Sequence, residues 1–168
     1  MQQLRDRWER WGIWLFLALF LVSLIPVIWL GRYARACADD YGYGIFTHYA
    51  LRYGEPFLKA VLHTATRYYK SWQGTFTALG LMSLVPCIFS EGAYWLTPVV
   101  MLASLIGGTL KLCHTLIVRC LGGTRRQAAW VGLAILFLSI QCVPAPLHSF
   151  YWWNGAVYYT FTYGVMLL

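Results

Sequence analysis

Residues 11–31 form an unbroken run without Asp, Glu, Lys or Arg, with Arg5, Arg7 and Arg10 before it and Arg32 and Arg35 after it. A bilayer-crossing helix needs about 20 such residues. The run is too long for the core of a cleaved leader and lacks a small-residue cleavage pattern, so it predicts a retained first span. Pro26 falls inside it and predicts a kink there.

Residues 32–73 carry six basic side chains and the pair Asp39 and Asp40, which marks a solvent-facing segment. Within it Phe57, Leu58, Val61, Leu62, Ala65, Tyr68, Tyr69 and Trp72 recur at spacings of three and four. Lys59, His63, Arg67 and Lys70 occupy the other face. This period predicts an amphipathic helix, with Pro56 suited to its first turn and Gly54 closing what precedes it. Such a helix can lie on a membrane surface or pack on the rest of the protein, and both arrangements turn its basic face to water and headgroups.

The apolar run 75–89 is about fifteen residues long and is interrupted by Gly80 and Pro86, below the usual spanning length. If it spans, only Arg5, Arg7 and Arg10 remain cytoplasmic. If it is interfacial, Arg119, Arg125 and Arg126 join them, as the bias toward cytoplasmic Lys and Arg in short loops requires. The second arrangement is adopted. It gives a first span at 11–31, an outer loop at 32–93, a second span at 94–118, a third at 128–143 and the start of a fourth at 157–168. No charged residue follows Arg126, and Pro144 and Pro146 break the third run.

The expected fold class is therefore all-α, with three to four transmembrane spans and interfacial helices in the first loop. The whole of 1–168 forms one membrane domain in a plasma (inner) membrane, with a cytoplasmic N-terminus. Composition agrees: 60% of the 168 residues are hydrophobic, 18% aromatic and only 11% charged, against about 25% charged in an ordinary soluble domain. The net charge of +7 is spread over loops, which argues against nucleic acid as partner and for anionic lipid or phosphate. Five cysteines without paired spacing predict neither a disulfide framework nor a zinc site.

Three features could carry chemistry. Adjacent carboxylates beside a bilayer are costly without a cation, metal or substrate hydroxyl to use them, so Asp39 and Asp40 are candidate catalytic groups. Their plain alternative is a helix start followed by a solvated turn. Tyr151, Trp152, Trp153 and Asn154 offer rings and an amide suited to a sugar face or an isoprenoid chain, against the alternative of an interfacial aromatic belt. Arg67 and Lys70, beside Trp72, can hold a lipid-linked phosphate through charge-assisted hydrogen bonds, or simply meet anionic headgroups. No metal-ligand spacing, phosphate loop or serine-hydrolase elbow occurs.

The order of these features, with the acidic pair early in the first outer loop, then Trp72, Gln73, Gly74 and Thr75, the segment beginning Tyr94, Trp95, Leu96, Thr97 and Pro98, the arginines from Arg119 to Arg126, and Tyr151 to Gly155, resembles the N-terminal part of the GT-C superfamily of polytopic glycosyltransferases. The protein mannosyltransferase and aminoarabinose transferase branches, and uncharacterised bacterial members, share it. The resemblance implies a polyprenyl-phosphate-linked sugar as donor and an outer-face glycan or lipid as acceptor. Asp39 would then be base or acceptor-orienting group with Asp40 assisting. Members differ on whether a divalent cation takes part. Thr75 stands where bacterial members carry Arg. Such enzymes enclose their substrates with many more spans, so these 168 residues are expected to be the N-terminal portion of a longer protein and inactive alone. The rival expectations are a non-catalytic membrane module that binds lipid-linked intermediates, and a flippase or transporter component.

Overall fold

The computed structural model describes the backbone from Gln2 and the side chains from Trp11 to Leu168. Among these residues every regular element is helical. Arg5, Arg7 and Arg10, which bear on orientation, lie outside the described side chains.

Helix α1 (Gln2–Leu30) continues through Pro26 and ends in a 3-10 turn at Gly31–Tyr33. Two helices, Trp11–Tyr33 and Glu91–Cys120, are long and apolar enough to cross a membrane. The first leaves most of its apolar surface bare: Trp14, Leu15, Val22 and Ile25 are each at least 60% exposed. A contiguous apolar face of that size is not left to water in a monomeric soluble protein.

The expected outer loop holds three helices. The amphipathic one forms as α3 (Phe57–Ser71), and its apolar stripe divides in two. Ala65, Val61 and Tyr68 pack inward, while Leu58, Leu62, Tyr69 and Trp72 remain exposed. Run 75–89 forms the seven-residue α4 (Phe76–Met82), packed on α3, and then a 3-10 turn at Pro86–Ile88.

The remaining helix, α2 (Asp39–Tyr53), begins at the acidic pair, where a helix start was the plain alternative, but runs for 15 residues through what was expected to be a turn and solvent-facing loop. Its low helix propensity comes from Gly42 and Gly44, and packing explains both. A Cβ on Gly44 would come 2.7 Å from Val85 Cγ1, and one on Gly42 would come 2.9 Å from the Tyr68 hydroxyl. Two acids in the first turn favour the helix dipole, and Gly54 caps the other end at φ 71.

The second span forms as a 3-10 turn (Glu91–Trp95), helix α5 (Leu96–Cys113) and a π-helical extension to Cys120. Run 128–143 forms α6 (Arg125–Gln141) except for its last two residues; the helix has 17 residues, shorter than the two helices above, and its N-terminus carries a capping box between Thr124 and Gln127. The segment 157–168, expected to begin a fourth span, continues without a break from α7 (Trp153–Ala156) through a π-helical stretch (Val157–Phe161) into α8 (Thr162–Met166). The core runs between α5, α6 and the 150–157 segment, and reaches α2, α3 and α4 through Tyr43, Ala65, Leu79 and Val85.

Candidate functional site

The N-terminus of α2, the turn before α5 and the N-terminus of α7 meet at one point. Asp40 is fully buried. Its Oδ2 accepts from the Tyr94 hydroxyl at 2.5 Å and from the Cys37 main-chain N–H at 3.1 Å. The Tyr94 oxygen in turn accepts from the Trp153 N–H at 3.0 Å. One phenol thereby uses its donor and an acceptor position to join three segments far apart in sequence. The Trp153 indole donates to the Leu81 carbonyl at 3.3 Å, which adds α4 to the junction.

Burial pushes the Asp40 carboxyl above the usual range; the Tyr94 and Cys37 donors and the Asn154 main chain pull the other way without overcoming it. The Asn154 N–H acts on the charge without making a hydrogen bond of good geometry, so Oδ1 has no partner among the described residues. The Asn154 amide and the Trp152 indole N–H are likewise buried without partners.

Asp39 behaves differently. It is exposed and forms no ion pair among the described residues, and it sits in the first turn of α2, where the helix dipole favours its charge. The preceding Ala38 has φ 48, a conformation unusual for a residue with a side chain, so the turn that presents both acids is held under backbone strain.

Of the residues singled out in the sequence, Asp40 and Trp153 are brought together, with Asn154 beside them. Tyr151 donates to the Val27 carbonyl at 2.8 Å and ties the aromatic stretch to α1. Trp152 packs edge-on against His148. The α3 cations stand apart from this junction. Arg67 lies over the Phe46 ring at 5.5 Å, Lys70 is exposed, and Trp72 is 76% exposed. Arg67 is thus set against α2 at Phe46, and Lys70 and Trp72 face outward.

A groove between α2 and α3, of about 990 Å³, is lined by Phe46, Tyr49, Tyr53, Lys59 and His63 among others. Among the described residues no three His, Cys, Asp or Glu side chains lie close enough together to hold a metal ion. Tyr94 was not among the residues singled out for chemistry. Its signal was the phenol at the mouth of an apolar run, since a buried tyrosine hydroxyl needs a partner. Comparison with protein-family models, with curated proteins and with solved structures finds no match.

Proposed function

We propose that this chain is part of a GT-C-like membrane glycosyltransferase that transfers a sugar from a polyprenyl phosphate to a glycan or lipid acceptor at the outer face. The observation that carries this reading is the hydrogen-bonded chain from Asp40 through Tyr94 to Trp153. It fixes the acidic turn against the tryptophan-rich stretch and leaves Asp39 open to a ligand.

In the proposed reaction an acceptor hydroxyl attacks the anomeric carbon. Its proton passes to Asp39, the bond from that carbon to the phosphate oxygen breaks, and polyprenyl phosphate leaves with the electron pair. General-base assistance of this kind contributes about 10² to 10⁴ in rate. Asp40, bonded to Tyr94, is a positioning residue for the turn. Arg67 and Lys70, on the basic face of α3, would meet the phosphate. Rings at Tyr151 and Trp152 would flank the sugar or the prenyl chain.

The bare apolar surface of α1 and the exposed Leu58 and Leu62 of α3, with Trp72 just past its end, support placement in and along a bilayer. Charge distribution supports an outer position for the first loop.

The test is sugar transfer by membranes containing the full gene product, with a radiolabelled polyprenyl-phosphate sugar. Asp39→Asn is expected to lower the rate by about a hundredfold or more while the protein remains folded. Unchanged transfer with both Asp39→Asn and Asp40→Asn would exclude the enzymatic reading in favour of a non-catalytic module.

A further inference from the structure

The two helices long and apolar enough to cross a membrane, Trp11–Tyr33 and Glu91–Cys120, meet at one end, where the closing turn of α1 packs on the turn before α5. Gly31 permits the approach, since a Cβ there would lie 2.7 Å from Pro98 Cγ. Beside this contact is a notch of about 530 Å³, lined by Ile25, Ile28, Trp29, Arg32 and Trp95. Each of these side chains is exposed. Its polarity is graded along α1, with the isoleucines toward the middle of the span and Arg32 at the rim. At about 1.5 Å of rise per residue, Ile25 and Arg32 stand about 10 Å apart along the axis. That is enough to reach from the headgroups into hydrocarbon, because the headgroup layer adds only about 5–7 Å on each side.

The notch offers donors and no acid. The Arg32 guanidinium carries five N–H groups, and its side chain makes no hydrogen bond or ion pair among the described residues. The bland role for a cation at a helix C-terminus, to meet its carbonyls, belongs to Arg35, whose Nη1 donates to the Arg32 and Ala34 carbonyls at 2.7 and 2.8 Å. The indoles of Trp29 and Trp95 bring two further N–H donors that no protein group takes up among the described residues. Tyr33 meets the Trp29 ring edge-on at 5.2 Å and holds it in place. No Asp or Glu lines the notch to answer these groups.

We propose that this notch holds a diacyl phospholipid of the bilayer, with its phosphate on Arg32 and an acyl chain along Ile28 and Ile25. The guanidinium fork matches phosphate oxygens in shape as well as charge, and tryptophan indoles are at home at the level where headgroup passes into hydrocarbon. Size separates a lipid from free phosphate. At about 30 Å³ for each water-sized group, the five heavy atoms of phosphate fill less than a third of the space and leave both isoleucines uncovered. A sugar would leave the cation unanswered and would set hydroxyls against the isoleucines. The inference rests on the placement of α1 in a bilayer and not on sugar transfer, so the transfer assay and the lipid assay can fail separately.

The experiment titrates the whole chain in detergent with phosphatidylglycerol, and with diacylglycerol bearing the same chains but no phosphate, and reads lipid-bound and lipid-free protein by native mass spectrometry. Phosphatidylglycerol is expected to be retained in saturable fashion and diacylglycerol at least tenfold more weakly. Arg32→Gln, a change at an exposed position, is expected to weaken retention of phosphatidylglycerol about tenfold. Arg52→Gln removes an equal charge from an exposed position at the C-terminal end of α2 and is expected to change nothing. Soluble glycerol phosphate in excess is expected not to displace the lipid. Equal retention of the two lipids, equal retention by Arg32→Gln and the natural chain, the same loss in Arg52→Gln, or displacement by glycerol phosphate would each overturn the proposal.

Discussion

The Tyr94 hydroxyl donates to Asp40 across 54 residues of sequence, and it is the only side-chain donor on that carboxylate among the described residues. Tyr94→Phe keeps the ring and removes both this bond and the acceptor used by the Trp153 N–H. Leaving buried partners unsatisfied costs about 1–3 kcal/mol each. The variant is expected to melt at lower temperature in detergent, with near-ultraviolet dichroism of the tryptophans changing before helix content does.

Asp40 also sets a pH dependence. Its folded pKa lies above the ordinary 3.8, raised first by burial, so the folded state holds a proton that the unfolded state has released. Stability is therefore full below the unfolded value and falls as pH rises through the folded one. Asp40→Asn keeps the shape and removes the titration. Thermal melts across the acidic range should show a downward slope with rising pH for the natural protein and a flatter one for the variant. Equal slopes would show that another group titrates.

Helices α5 and α8 cross where Gly108 and Gly164 meet backbone to backbone. A Cβ on Gly164 would sit 2.7 Å from the Leu105 amide nitrogen, and one on Gly108 would meet the Gly164 carbonyl. Gly164→Ala and Gly108→Ala are each expected to destabilise by about 1–3 kcal/mol through overpacking. Gly107, one position away, has open space around its would-be Cβ. Gly107→Ala should be neutral or stabilising, by up to about 1 kcal/mol from helix propensity. Parallel melts of the three variants separate a contact effect from a general intolerance of substitution.

Native cysteines report the orientation of the chain. Cys37, Cys120 and Cys142 are all exposed. With the first loop outside, an impermeant thiol reagent on intact cells should modify Cys37 and Cys142 and spare Cys120. Burial and then the neighbouring Asp40 and Asp39 raise the Cys37 thiol, so its labelling should accelerate as pH rises. Modification of Cys120 from outside would reverse the orientation.

Arg67 is exposed over the Phe46 ring. Arg67→Gln should change stability by less than about 1 kcal/mol while weakening adhesion of the chain's α3 face to phosphate-bearing lipid. Flotation with vesicles of graded phosphatidylglycerol content, at two salt concentrations, measures this. An unaltered salt dependence would remove Arg67 from the phosphate-binding set.

Elements with a clear period or a long apolar run were legible in the sequence. The Phe57 to Ser71 periodicity became α3, and residues 11–31 lie within α1 and its closing turn. Helix α2 was not legible, because Gly42 and Gly44 are read locally as helix breakers. Their role, close approach to Tyr68 and Val85, exists only once α3 and the 3-10 turn are in place. The site divides in the same way. That Asp39 and Asp40 are adjacent is visible in the sequence, but their division into an exposed acid and a buried one depends on where Tyr94 arrives. Which face of α3 would remain uncovered could not be read from its period, since Leu62 and Ala65 both belong to the apolar stripe and only Ala65 is buried.

The partners that hold α1 come late in the chain. Gln141 reaches the Ser23 carbonyl and hydroxyl across 118 residues, Tyr151 reaches Val27 across 124, and Phe16 stacks on Trp130 at 5.4 Å. During synthesis α1 is complete long before α5 and α6, the helices that pack on it, have emerged. Its seam with the rest of the fold therefore closes last, between the segment at Phe16 to Val27 and partners more than a hundred residues later.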